Sequence, residues 1–448
     1  TPGMRSRLSR SATAKATTSP AGGEPRQITS IATGASLGTW SHDGKQIAFM
    51  SPVWPEYSEK PFKESDALNK KRMDDNEKNP VKARVFTRLF FRHWDEYVED
   101  KRLHLFVFDF ANGKAGEPRD VTPGNRDAYP TSSTFSVGDD FTFSPDGKHL
   151  YFTAVPAKNE AWSTDYDVCR VPVTGGSTKW ETVTLDNRAA DGAPQFSPDG
   201  KWLVYRAQKR PGFEADRWDL MLLPTAALDE KDAKKRAKPR SLTAEFEGSA
   251  DDFVWMPDNE RIYFSADDRA KHWYFVTNIK DENPSPRVTF ISHHSNHALS
   301  VSKDGRLAFA RAAMHHPNEV FIAIDRGAEW DVFNASKANE KLLAILDLPR
   351  PDSINVLGAG GQPMQMWILK PPGFDAKKKW PLAFLVHGGP QGAWEDGWSF
   401  RWNAQAWAAQ GYVVALPNPR GSTGFGQQYV DEISGDWGGK CYDDLMAG

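Results

Sequence analysis

Leu385-Val386-His387-Gly388-Gly389-Pro390-Gln391-Gly392 closes an apolar run that begins at Leu382, and this stretch decides how the end of the chain is read. A helical stretch follows. A second apolar run, Tyr412 to Leu416, then ends in Pro417-Asn418-Pro419-Arg420-Gly421-Ser422. Buried strand, glycine turn, helix and second buried strand make the unit of a parallel α/β sheet. Ligand chemistry in such sheets gathers at the carboxyl ends of the strands, where His387-Gly388-Gly389 falls. Two residues without Cβ let backbone N–H groups approach a substrate oxygen, as an oxyanion hole does in acyl transfer. A lone HGGP also suits an ordinary strand-to-loop turn; the second strand unit favours the acyl-transfer reading.

Around this centre, Ser353–Leu357 and Met364–Leu369, joined by Gly358-Ala359-Gly360-Gly361, read as an antiparallel hairpin. Phe400, Ala404, Trp407 and Ala408 fall on one face of a helix expected over Ser399–Gln410 and stopped by Gly411. Cys441-Tyr442-Asp443-Asp444 reads as another helix start.

Upstream, a phrase recurs: Trp40-Ser41-His42-Asp43-Gly44-Lys45, Phe143-Ser144-Pro145-Asp146-Gly147-Lys148 and Phe196-Ser197-Pro198-Asp199-Gly200-Lys201, with weaker copies at Trp255–Asn259 and Ser302–Gly305. Each reads as strand end, tight turn with positive φ, apolar strand, which suits a two-residue hairpin. The turn residues are 103, 53, 59 and 46 positions apart, so a period near 50 holds if one repeat in the first gap lacks the phrase. That period, with several short strands per repeat, indicates a β-propeller, and the 17 tryptophans suit stacked blades. Tyr57–Lys82 and Leu228–Arg240 are charge-dense and read as solvated excursions, helical or mobile.

A chain of 448 residues holds two or more domains, and a formal charge of −3 gives no electrostatic case for nucleic acid or an anionic membrane. Cys169 and Cys441 suggest neither a disulfide framework nor a thiolate metal site. No apolar run is long enough to span a membrane. Residues 1–24 are Ser/Thr/Ala/Arg-rich with no apolar core, which excludes a secretory signal there and reads as a disordered or ragged tail. The expectation is a soluble protein, cytoplasmic or periplasmic.

The FSPDGK phrases, Lys370-Pro371-Pro372-Gly373-Phe374, His387-Gly388-Gly389-Pro390 and Pro417–Gly426 together resemble the prolyl oligopeptidase family of serine peptidases. Within it, the acylaminoacyl-peptidase and dipeptidyl-peptidase V branch is most similar. The resemblance implies a peptide entering between propeller and hydrolase domain and cleaved by a Ser-Asp-His triad. It assigns an oxyanion amide to Gly389, supported by Gly388. His387 stands where some relatives place an oxyanion tyrosine, and it is site architecture, not the base, since in this hydrolase type the base follows the nucleophile. The family's serine elbow follows the helix begun near Asp443, so with Gly448 last the triad is expected to be absent here and this chain alone inactive. Gly34-Ala35-Ser36-Leu37-Gly38 matches the elbow pattern but precedes a propeller hairpin, which is the wrong context.

Arg92-His93-Trp94-Asp95-Glu96-Tyr97 and Gly212-Phe213-Glu214-Ala215-Asp216-Arg217 are candidate specificity loops. Their carboxylates suit a substrate α-ammonium, which directs cleavage near the N-terminus. Glu96, Glu214 and Arg217 are the substrate-binding candidates, against blade-edge ion pairs as the alternative. His293-His294-Ser295-Asn296-His297 lacks the glutamate and the helix of a zinc motif. No metal and no cofactor are expected.

The fold class that follows is mixed: a disordered tail over 1–24, a β-propeller of about six or seven blades over 25–350, and an incomplete α/β-hydrolase domain over 351–448. The expected function is serine-type peptidase action on short peptide substrates, with a homo-oligomer possible in the full-length protein. The alternatives are a propeller binding module or pseudo-enzyme, and an esterase on the same scaffold.

Overall fold

The computed structural model describes residues 17–18 and 26–448, apart from 88, 90, 94–95, 98–99, 131–139, 177, 231, 233–234, 290–292 and 328, and apart from the side chains at 17, 18, 26, 93 and 96. Most of the expected tail lies outside the described residues; within it, Thr17–Thr18 pair antiparallel with Arg26–Gln27. The described residues divide into two compact units, 1–214 with 220–240, and 215–219 with 241–448.

The recurring phrase works through its serine and aspartate. Ser41 Oγ donates to Asp43 Oδ1 (2.7 Å), while the amides of Lys45 and Gln46 donate to Asp43 Oδ1 and Ser41 Oγ. Ser144 with Asp146 and Ser197 with Asp199 repeat the arrangement, and Gly44, Gly147 and Gly200 hold φ of +69°, +70° and +72°. The loop is longer than the expected two residues. Ser41 N donates to Gln46 O across a four-residue connection, and Gly44 N donates to Ser41 O within it. That is a type I turn closed by a left-handed glycine, which the serine and aspartate side chains select.

In the first unit these turns join neighbouring strands within antiparallel sheets. The first contains Ser36–Trp40, Gln46–Val53, Arg102–Ala111 and Lys114–Ala115, with Arg119–Asp120 alongside. The second is Phe141–Phe143, His149–Ala154, Asp167–Pro172 and Glu181–Thr182. The third begins with Asp191–Phe196, Trp202–Ala207 and Asp219–Pro224. Ala48, Leu105 and Val107 pack with Phe141, Phe143, Leu150 and Phe152 between the first two, and Tyr151 and Val168 pack with Phe196, Leu203 and Tyr205 between the next two. Sheets stacked face to face through alternating side chains are the packing expected of blades. The rings that fill these cores are mainly phenylalanine and tyrosine. Several tryptophans, such as Trp162 and Trp437, lie exposed.

The 103-residue gap between phrases has a different origin from a repeat without one. Between the second and third strands of the first sheet the chain leaves for an excursion containing the helix Phe62–Lys78. No further sheet beyond the two-residue pairing of Arg92–His93 with Glu96–Tyr97 occurs there among the described residues. The helix carries the i,i+4 pairs Lys70–Asp74 and Lys71–Asp75, and its buried Asn69 accepts from Trp54 N (3.0 Å). Leu228, placed by the sequence at the start of a solvated loop, is buried at the end of a 3-10 turn.

The second unit holds an eight-stranded sheet and the hydrolase-like segment. The sheet is two antiparallel meanders, Phe253–Trp255 to Arg287–Val288 and Ser295–Val301 to Trp330–Asn334, joined by a single parallel contact between His272 and Ser295. The described residues therefore contain five meanders for the six or seven expected blades.

In the hydrolase-like segment, Asp352–Leu357 pairs antiparallel with Pro363–Leu369, as the sequence indicates. Val413–Pro417 lies between that hairpin and Leu382–Phe384, antiparallel to the first and parallel to the second. The expected helix over 399–410 is shorter, Ala404–Ala408. Ser399 Oγ accepts the amides of Arg401 and Trp402, making a separate turn, and Asn403 then caps the helix by accepting from Gln405 N. Ala404 and Ala408 face the core, while Phe400 stands outside the helix and is 86% exposed. Trp367, Leu369, Val414 and Leu416 pack with Ala270 and Met314, so this segment shares a core with the hairpin tips of the eight-stranded sheet.

Candidate active site

The carboxyl end of the Leu382–Phe384 strand leads directly into His387-Gly388-Gly389. Gly389 has φ +144°, and a Cβ there would meet Gln391 N at 2.7 Å, so only glycine makes this turn. A Cβ at Gly388 would meet nothing within 4 Å, so the space beside it is open. The turn is held from behind. Trp394 Nε1 donates to Leu385 O, Trp394 N donates to Asn418 Oδ1 (2.7 Å), and Thr423 N donates to Gly392 O. Asn418 is fully buried at the end of the Val413–Pro417 strand, where its amide group also donates to Gln365 Oε1 and Trp394 O. One asparagine thus locks the glycine turn to the central strand.

His387 lies 2.8 Å, through Nε2, from Ser422 Oγ. Ser422 is buried, and its Oγ also lies 2.7 Å from Pro419 O. His387 Nδ1 in turn lies 3.1 Å from Gly388 O, so a neutral ring, with one proton, donates in one of its two contacts. Burial holds the His387 imidazole below its usual pKa, more than its contact with Gly388 O raises it. The ring is a neutral structural element of the turn.

Behind Ser422, Arg420 and Asp444 tie the strand end to the helix Lys440–Ala447. Asp444 accepts Arg420 Nη1 through both oxygens and also the amides of Arg420 and Ala359. Gly358 is glycine because a Cβ would lie 2.1 Å from Asp444 Oδ1.

On its other side the loop meets the eight-stranded sheet. Arg269 N donates to Gly424 O (2.8 Å), and Thr423 Oγ1 donates to Asp267 Oδ2 (2.6 Å). Asp396 accepts Met314 N and pairs with His294 Nδ1 at 2.6 Å, and Ser295 Oγ donates to Glu395 Oε2. Burial and the Asp267 charge push Glu395 up to about 7. Burial disfavours a charged His272, yet the hydrogen bond and charge of Asp267 outweigh it and raise the ring to about 9.

The proposed specificity residues are placed separately. Only the backbone of Glu96 is described, in the short strand Glu96–Tyr97, and Trp94 and Asp95 lie outside the described residues. Glu214 is exposed, and its backbone carbonyl accepts from Gln208 Nε2. Arg217 donates to the carbonyls of Ala244 and Phe246 and lies 3.4 Å from Asp219, so its guanidinium is engaged with the 244–246 segment. Ser36 sits inside an edge strand opposite Met50, which is no elbow. Sequence reasoning gave no role to Trp394, Asp396, Asn418 or Asp267. Asn418 stands inside a quoted motif, while the others have no local signal.

A sequence profile described as the prolyl oligopeptidase family matches residues 398–448. Dipeptidyl-peptidase 5 of Arthroderma otae is 31% identical over 392 residues, covering 83% of this chain and 52% of that protein. The dipeptidyl-peptidase 5 of Trichophyton equinum is 32% identical over 388 residues, covering 81% and 51%. This chain spans about half the length of these relatives. Among solved structures, the acylaminoacyl peptidase of Pyrococcus horikoshii superposes with a TM-score of 0.68 at 12% identity, over 95% of this chain and 57% of that one. Dipeptidyl peptidase 4 of Porphyromonas gingivalis gives 0.54 at 14% identity, over 92% and 53%. At that identity the structures speak to fold alone, a propeller with an α/β-hydrolase, whereas the sequence relatives carry the family. With its repeated Ser-Asp-Gly turns, its glycine turn locked by Asn418 and these relatives, the chain belongs to the prolyl oligopeptidase family of serine peptidases.

Proposed function

We propose that this chain supplies the substrate-gating and oxyanion-hole portion of a serine-type peptidase that cleaves short peptides near their N-terminus, of dipeptidyl- or acylaminoacyl-peptidase type. The observation that carries the reading is the Gly389 turn, closed to every side chain and set at the carboxyl end of a parallel strand. In this reading the nucleophile elbow follows the helix Lys440–Ala447. Its serine attacks the scissile carbonyl, and the amide of Gly389 stabilises the negative oxygen of the tetrahedral intermediate. In this reading His387 keeps the turn in shape and is not the base, because its Nε2 is already engaged with Ser422. Glu96 and Glu214 are the carboxylates proposed to receive the substrate's α-ammonium, with Arg217 the third substrate-binding candidate.

The test uses the polypeptide as its own cell makes it. It should be labelled by a fluorophosphonate serine probe and should release nitroaniline from Ala-Ala-4-nitroanilide or acetyl-Ala-4-nitroanilide. Hydrolysis of 4-nitrophenyl acetate without either anilide would point to the esterase. Absence of labelling would remove serine catalysis altogether.

A further inference from the structure

Asp267 and His272 flank the tip of one hairpin of the eight-stranded sheet, and Glu395 follows the glycine turn. One ligand atom from each lies within 4.8 Å of the others, and no second such trio of His, Cys, Asp or Glu occurs among the described residues. A ligand oxygen of each carboxylate lies within 4.8 Å of the other, and His272 Nδ1 lies 2.7 Å from Asp267 Oδ1. Two carboxylates this near each other favour a proton or a cation held among them.

Three features point to a cation. One oxygen of each carboxylate is held by a hydroxyl, Asp267 Oδ2 by Thr423 and Glu395 Oε2 by Ser295, both at 2.6 Å. The His272 ring is stacked on His297 with centroids 4.9 Å apart. Hydroxyls on the outer oxygens and a fixed ring plane are the supports that orient metal ligands. A divalent ion bound here would displace the proton that Asp267 holds on His272, and the trio would then present two negative charges to it.

We propose that Asp267, His272 and Glu395 form a site for a divalent transition-metal ion, Zn2+ or Mn2+, that ties the eight-stranded sheet to the segment behind the glycine turn. An ion about 2.0–2.2 Å from each donor spans donor pairs up to roughly 4.4 Å apart, so the trio closes on it with small side-chain shifts. Calcium, which takes about 6–8 oxygens, is poorly served by two carboxylates and an imidazole. The site has no thiolate to favour a softer ion. The sequence reading expected no metal and set aside His293–His297 as a zinc motif. That stretch supplies the supporting Ser295 and His297, while the ligands come from elsewhere. The proposal does not depend on peptidase activity.

Metal-stripped protein would be titrated with ZnCl2 and with MnCl2 by calorimetry at pH 7.5, with a parallel thermal melt. One ion per chain at micromolar or tighter Kd, and a raised Tm, is the expected result. Glu395→Gln and His272→Gln should each weaken binding at least tenfold, whereas His315→Ala, in the neighbouring histidine cluster, should not. X-ray absorption of the zinc-loaded wild type guards against misfolded variants and should show a nitrogen/oxygen shell with a single imidazole. Two or more imidazoles would place the ion among His294, His315 and His316 and overturn the assignment. So would the absence of stoichiometric binding, which would leave a shared proton as the link.

Discussion

Arg420 and Asp444 meet through two hydrogen bonds of 2.9 and 3.0 Å with both side chains almost wholly out of water, exposed by 3% and 0%. Asp444 also receives the amides of Arg420 and Ala359, so one carboxylate joins the strand end before Ser422, the hairpin turn at 358–361 and the last helix. A buried pair of this kind is costly to break because the remaining charge stays desolvated. Asp444→Ala should destabilise the second unit by about 3–5 kcal/mol, read as a lower urea midpoint in tryptophan fluorescence. Glu432, 2.9 Å from Arg420 Nε, is exposed enough that Glu432→Ala should cost less.

Gly388 and Gly389 should separate fold from chemistry. Gly389→Ala places a Cβ 2.7 Å from Gln391 N, so it should distort the turn and reduce kcat by roughly 100- to 1,000-fold, as loss of an oxyanion donor does. Gly388→Ala adds a methyl to open space, so the melting temperature should hold while KM rises if substrate passes there. Steady-state kinetics beside a thermal melt distinguishes the two.

Acid should weaken the second unit through Glu319. Burial opposes its charge, but Ser336, the amides of Ala338 and Asn339, and the Asn339 side chain all donate to it and hold it at about 2. A depressed carboxylate contributes stability that is complete above its unfolded pKa of about 4.3 and is lost as pH falls toward its folded value. Urea midpoints measured from pH 6 to pH 3 should fall in wild type. In Glu319→Gln they should start lower and fall less steeply.

Asp396 ties the segment behind the glycine turn to the blade hairpin through Met314 N and His294. Asp396→Ala leaves a buried amide without its acceptor, at a cost of about 1–3 kcal/mol. Asp396→Asn keeps an acceptor for Met314 N and should retain most of that stability. Denaturant melts of the two variants check the difference.

Local chemistry was legible from the sequence wherever the partners are close along the chain. Ser41, Asp43 and Gly44 close their turn within six residues, so the repeat announces itself even though its loop is longer than the two residues expected. The hairpin around Gly358–Gly361 and the glycine requirement at Gly389 follow from the same short-range sterics. Phe400 shows where periodicity fails: it matches the helix face, but the Ser399 turn ends the pattern and leaves the ring in water.

The rest depended on the path of the chain. His294 and Asp396 are 102 residues apart, and Asp267 and Thr423 are 156 apart, yet each pair lies within hydrogen-bond distance. No periodicity or motif links such residues, because their meeting depends on where sheets and loops bring distant backbone together. The sequence by itself determined the turns, the strands and the glycine at the candidate oxyanion position. Only the tertiary structure decided that a buried asparagine and a blade's histidine and aspartate would hold that glycine turn in place, since those contacts exist only after the strands have paired and excluded water.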